Sequence, residues 1–175
     1  MHDIGLATWF GGSLMGAVGL NGAAGEVSDP PQRARVASSG WARWTPVNLG
    51  AIGAHVVGAA ILTRANRGRM SAQNGVGATS WAKAALTLAA VGATAYARAL
   101  GQKVMNAGDV PVEGGTEPSA QTPPQVEQAQ KQLHALQWAI PALTGAMLVL
   151  SARMGEQQRP SEVSKGMLRR LVPAR

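Results

Sequence analysis

Cysteine is absent from the 175 residues. That excludes disulfides, thiolate metal sites and cysteine-ligated iron–sulfur clusters, and it leaves the redox state of the compartment unrecorded. Charge is scarce as well. Asp, Glu, Lys and Arg make up 14% of the chain, against about 25% in ordinary soluble domains, and they avoid four long windows. No aspartate or glutamate falls inside any of these windows. Pumps, proton-coupled transporters and cation channels usually line their paths with carboxylates, so the absence counts against those classes.

There is one phenylalanine, whereas lipid-exposed helices are usually rich in Leu, Ile, Val and Phe. The chain also has no phosphate-binding glycine loop, no cluster of metal ligands and no nucleophile beside a base. Gly11-Gly12 lies within an apolar run, without the strand–turn–helix setting that a nucleotide fingerprint requires. Neither long loop supplies the residues of a soluble active site. The expectation is a non-catalytic protein with no cofactor or metal of its own.

What the chain does have is a series of apolar runs. LATWFGGSLMGAVGLNGAA, residues 6–24, lies in an uncharged stretch from Ile4 to Gly25. As a helix this stretch is about 33 Å long, enough for a hydrocarbon core of about 30 Å. A signal peptide needs a basic leading segment, and His2 and Asp3 supply none beyond the free amine. Asn21-Gly22-Ala23-Ala24-Gly25 could pass for a cleavage site, but the segment reads better as a retained first span. The mean hydropathy of +0.00 averages such runs with very polar loops.

Four spans are expected, at about 4–24, 45–63, 79–97 and 133–152, giving an all-α membrane bundle over residues 1–153. Thr45-Pro46 looks like the cap and first turn of the second span. The third is the shortest: only Ala84–Ala97 is uncharged, and Lys83 must snorkel to extend it, with Trp81 at the interface. A soluble amphipathic helix is the alternative there, but the stretch has no charged face. Pro141 lies inside the fourth span and frees the Gln137 carbonyl. Residues 101–125 are low-complexity and proline-rich, with no apolar set for a core. Thr122-Pro123-Pro124 starts a helix that continues past Gln132 into the fourth span. The tail, 154–175, is basic. Within it, residues 161–172 place Val163, Met167, Leu168 and Leu171 opposite Lys165, Arg169 and Arg170, a candidate interfacial helix.

Small residues fall on one face of several spans. Gly12, Gly16, Gly19 and Ala23 follow i, i+4, i+7, i+11; Gly50, Ala54 and Gly58 repeat the theme, as do Ala85, Ala89, Ala93 and Ala97. In a membrane such faces let helix backbones approach closely, whether the neighbour lies in this chain or in a partner. Trp41, Trp44 and Trp138 at one end of the spans, with Trp9 and Trp81 at the other, fit interfacial anchoring belts. Asn21 and Asn48 lie at matching depth and suit helix-to-helix hydrogen bonds, to each other or to a partner.

His55 is the one polar group near mid-span that invites a chemical role. It reads either as a hydrogen bond to a neighbouring helix or as a weak candidate for contact with a haem, a quinone or a partner. His134 lies about 13 Å away in depth, so one haem could not use both. With four spans, both termini share a side that collects ten Lys and Arg; the other side has six, alongside six acidic residues. The positive-inside rule makes the termini cytoplasmic. A pI near 11.1 and a net charge of +7 then indicate anionic lipid rather than nucleic acid, since the basic residues flank the spans.

The stretches HDIGLATWFGGSLMGAVGLNGAA and GWARWTPVNLGAIGAH, within residues 2–55, resemble a group of small actinobacterial membrane proteins of undefined activity. One mycobacterial member is an accessory subunit of the cytochrome bcc–oxidase respiratory supercomplex. The resemblance implies a setting: a helical subunit of the plasma membrane, packed against larger integral membrane proteins of the respiratory chain. It transfers no site residues. A small transporter or permease, with helix breaks at Pro141 and the glycines, is the runner-up from another class; no inverted repeat is evident to support it.

Overall fold

A computed structural model of the chain describes residues 1–65 and 76–157, and the described residues are almost entirely helical. Helix α1 spans His2–Met15 and continues through a π-helical turn, Gly16–Leu20, into the short α2, Asn21–Gly25. Three long helices follow: α3, Pro30–Ala65; α4, Val76–Asn106; and α5, Pro124–Gln157. Each of these three contains a stretch long and apolar enough to cross a membrane. The expected first span, 4–24, is not one uninterrupted α-helix, because the π-turn divides it. Its backbone keeps right-handed helical angles at Met15, Gly16, Leu20 and Asn21, so the direction is maintained. The expected interfacial helix at 161–172, together with Arg67 and Arg69, lies outside the described residues.

The four helical rods alternate in direction and form a four-sided bundle. α1 packs on α3 and α5, and α4 packs on α5 and less extensively on α3. At the level of α1 the core holds Leu6, Trp9, Ala51, Ala90 and Met147. The long helices outrun this core. α3 has 36 residues and α5 has 34, about 54 and 51 Å of helix, and their far ends build a second region, the head.

Pro30 opens α3 at the first helical position, where its missing N–H costs nothing. Just before it, the Asp29 carbonyl accepts from the Gln32 backbone N–H at 2.9 Å. The helix start expected at Thr45-Pro46 is therefore not there; Pro46 is an interior residue. Proline deprives the Ala42 carbonyl of its helical donor, yet the rod continues because Trp41 and Trp44 fix the preceding turn against α1. α4 stops through Gly108, whose φ of +78° suits a glycine at a helix end. α5 begins at Pro124, as its sequence signals indicate.

Between α4 and α5 the proline-rich stretch is folded. Val112 is fully buried and shares a core with Ala34, Leu100, Val104, Val126 and Ala129, contrary to the expectation that this stretch has no core-forming residue. Arg33 holds it down: its Nε donates to the Val27 carbonyl at 2.7 Å, and its Nη1 to the Val112 and Glu113 carbonyls at 3.3 and 3.2 Å. Arg35 pairs with Asp109 through two contacts of 3.1 and 2.5 Å. The hydroxyls of Thr122 and Ser119 both donate to the Pro111 carbonyl.

Candidate functional site

The α1–α3 seam is built on glycine. A Cβ at Gly12 would overlap the Trp44 ring, and one at Gly16 would overlap the Trp41 ring. At Gly5 it would overlap the Ala51 carbonyl oxygen and lie 2.7 Å from the His55 nitrogen; at Gly58 it would lie 2.8 Å from His2. Gly40 receives Leu20 in the same way. The register is thus antiparallel, with residues 2, 5, 12, 16 and 20 beside 58, 51–55, 44, 41 and 40.

Of the expected stripe, Gly12 and Gly16 meet α3 while Gly19 touches only its own Met15 and Ala23 is exposed. The π-turn explains the difference. Its i→i+5 bonding accommodates an extra residue, so beyond Gly16 the buried face passes to Ala17, Asn21 and Ala24. On α3, Gly58 and Ala54 lie at the seam and Gly50 faces open space.

The tryptophans divide. Trp81 and Trp138 are exposed. Trp9 is fully buried and its Nε1 donates to Thr94 Oγ1 at 3.3 Å, so it belongs to the core and not to an interfacial belt. Trp41 and Trp44 lie partly buried over the glycine notches. Asn21 does not pair with Asn48. Its Nδ2 donates to Gln137 Oε1 at 2.8 Å and its Oδ1 accepts from Trp41 Nε1 at 2.9 Å, joining three helices through one amide.

His55 is buried, with its Nε2 3.2 Å from Thr87 Oγ1 on α4. The Thr87 hydroxyl donates to the Lys83 carbonyl at 2.9 Å, which leaves its oxygen to accept from His55. The His2 ring stacks against His55 at a centroid distance of 4.4 Å, and Trp9 approaches edge-on at 6.3 Å. His55 therefore serves an interhelical hydrogen bond. Its neighbour is His2, a residue that carries no site signal in one dimension, while His134 sits at the head beside Thr116 and Gln137. Among the described residues no group of three or more His, Cys, Asp or Glu is arranged to hold a metal.

One concavity is not announced by the sequence. A cavity of about 440 Å³ lies beside the lightly packed α3–α4 edge, between the membrane-level core and the head. Its lower wall is apolar, with Leu49, Ile52, Val91 and Ile140; Arg98, Gln137 and Thr116 line it toward the head. Most polar groups of its wall are engaged: Ser13 with the Trp9 carbonyl, Thr94 with Trp9, Asn21 with Gln137 and Trp41. Two are not. Trp44 Nε1 and Asn48 Oδ1 are buried and meet no hydrogen-bonding partner among the described residues. A buried unpaired donor or acceptor costs about 1–3 kcal/mol. These two lie one helical turn apart on α3, on the same face.

Trp44 and Asn48 both stand out in the sequence, as polar-capable groups four apart in an apolar run, but that both residues line one cavity does not. The chain matches no protein-family model, no curated protein and no solved structure.

Proposed function

We propose that this protein is a non-catalytic accessory subunit that stabilises or assembles a larger membrane complex, crossing the plasma membrane four times with both termini in the cytoplasm. The first crossing is the composite rod of residues 2–25, whose residues 2 and 20 lie level with α3 residues 58 and 40. The observation that carries the proposal is the outward face of α4. It is the least buried of the three long helices, and Ala82, Ala85, Ala89 and Gly92 are all exposed on it. Such a stripe of small residues, with the exposed Trp81 and Leu88 beside it, suits close approach by another helix. The resemblance of residues 2–55 to the actinobacterial proteins points to a respiratory assembly as the setting.

Purification of the tagged full-length chain in mild detergent tests this. A stoichiometric integral membrane partner is expected, and for a respiratory complex the co-purified material carries haem absorbance. Ala89→Leu should reduce recovery of that partner while the chain itself stays folded by circular dichroism. Isolation of the chain alone from native membranes would overturn the reading.

A further inference from the structure

We propose that the cavity beside the α3–α4 edge binds a long-chain carboxylate, one single-chain fatty acid with its carboxyl at Arg98 and its chain toward the membrane core. Among the described residues Arg98 is the only charged one that lines the cavity. It is partly buried and has no ion pair among those residues. Arg33 and Arg35, by contrast, are committed to Glu113 and Asp109. A guanidinium without a counter-charge, set over an apolar wall, selects an anion. Its planar fork matches a carboxylate through two parallel hydrogen bonds.

The depth of Arg98 suits an amphiphile. His55 of α3 meets Thr87 of α4, and Ala34 shares a core with Val104. Arg98 therefore stands level with the Trp41–Trp44 turn of α3. Leu49, Ile52 and Val91 line the cavity about 10–15 Å deeper. Arg98 is also the first charge after the uncharged run Ala84–Ala97, where the carboxylate of a membrane-embedded fatty acid would lie.

The shape admits one chain. Buried Ser13, Asn21 and Ile140 line the cavity too, so it reaches the bundle axis and is no groove on a single face. Packed interiors hold few voids larger than a water molecule, and an apolar recess of this size calls for a filling. Its walls run over residues 37–52 of α3 and 91–104 of α4, about 20 Å of helix rise on each side. A methylene occupies about the volume of a liquid water molecule, about 30 Å³, so about 440 Å³ holds about fifteen. That is one tail, drawn out along the helices, and not two. A small water-soluble anion would leave the apolar wall uncovered. The proposal is independent of the accessory-subunit reading, since the site lies inside this chain alone.

The test is native mass spectrometry of the full-length chain in detergent, titrated at mildly alkaline pH with palmitate or with hexadecanol. One palmitate per chain should be retained, at least about tenfold over the alcohol, as expected for a charge-assisted hydrogen bond. Arg98→Gln should bring palmitate down to the level of hexadecanol. Gly101 lines the cavity, and a Cβ there meets nothing within 4 Å. Gly101→Leu should therefore expel both ligands while circular dichroism stays that of the wild type. In phosphatidylcholine nanodiscs, palmitate brominated at mid-chain should quench tryptophan emission saturably in the wild type and not in Gly101→Leu. Equal retention of palmitate and hexadecanol, palmitate retention unchanged in both variants, or quenching that never saturates would each overturn the proposal. The last outcome would mean that a tail of the surrounding phospholipid fills the recess.

Discussion

At the level of Leu6, Trp9 and Met147 the helices close on one another by fitting rings and backbone into glycine notches, whereas the head closes by tying a loop down with side chains. In the first region Gly12 and Gly16 admit Trp44 and Trp41, and Gly5 lets the α1 backbone touch α3. In the second, Val112 supplies a small apolar core, Arg33 and Thr122 donate to loop carbonyls, and Arg35 pairs with Asp109 to fix the loop's course. The two modes of closure suit different surroundings. Where no water competes, close contact between smooth surfaces drives association. Where water is present, a polar loop stays folded only if its backbone groups find partners and some apolar area is buried.

Substitutions in the two regions should therefore fail in different ways. The largest effect is expected from Gly12→Leu, which drives a side chain into the Trp44 ring. A loss of about 3 kcal/mol or more is expected in detergent unfolding followed by circular dichroism, with a shift in tryptophan emission. Gly11→Leu, one residue earlier and facing open space, should leave both readouts almost unchanged. Equal effects at 11 and 12 would remove the notch from the account of this region.

An intermediate effect is expected in the head. Val112→Ala removes two buried methyl groups at a cost of about 2 kcal/mol. The consequence should be local: faster amide exchange at residues 109–122, with unchanged protection in α1 and the facing turns of α3. If α1 loosened together with the loop, the two regions would be one cooperative unit.

The smallest effect belongs to Asp109. The Arg35 guanidinium holds its carboxyl below the usual 3.8. A carboxyl depressed on folding contributes above its unfolded pKa and loses that contribution as pH falls through its lowered, folded value. Loop protection should thus be constant near neutral pH and decline only under acid conditions below the ordinary carboxylate range. Asp109→Asn should give slightly faster loop exchange at neutral pH, and the gap to wild type should close in acid. Because the pair is exposed, even a small neutral-pH gap is sensitive to salt.

The same contrast governs how much of the molecule could be read from its residues. The three long helices follow from uncharged runs, and α5 starts where Thr122-Pro123-Pro124 says it should. Pro46 misleads because proline after threonine has the same signature at a helix start and within a rod clamped by neighbours. The stripe through Gly19 and Ala23 assumes a constant helical period, which fails once Gly16–Leu20 takes up an extra residue. Trp9 and Trp81 have similar apolar surroundings in one dimension, yet one is fully buried and the other exposed. Nothing local distinguishes them; the distinction is made by Thr94 and Met147, far along the chain. The head was illegible for the same reason, since Arg33 reaches carbonyls some eighty residues away. So was the cavity, whose walls join α3 to α4 and α5.

The π-turn has one more consequence. By rotating the residues downstream of it, the insertion lets a single rod address two audiences: upstream, glycines present flat ground to indole rings, and downstream, the Asn21 carboxamide is swung inward to clasp Trp41 and Gln137 together. If residues 16–20 kept ordinary α-helical pitch with no residue removed, that carboxamide would turn by about 100°, away from Trp41 and Gln137. Thus the irregular turn is the phase-setting joint that allows one amide to lock three helices.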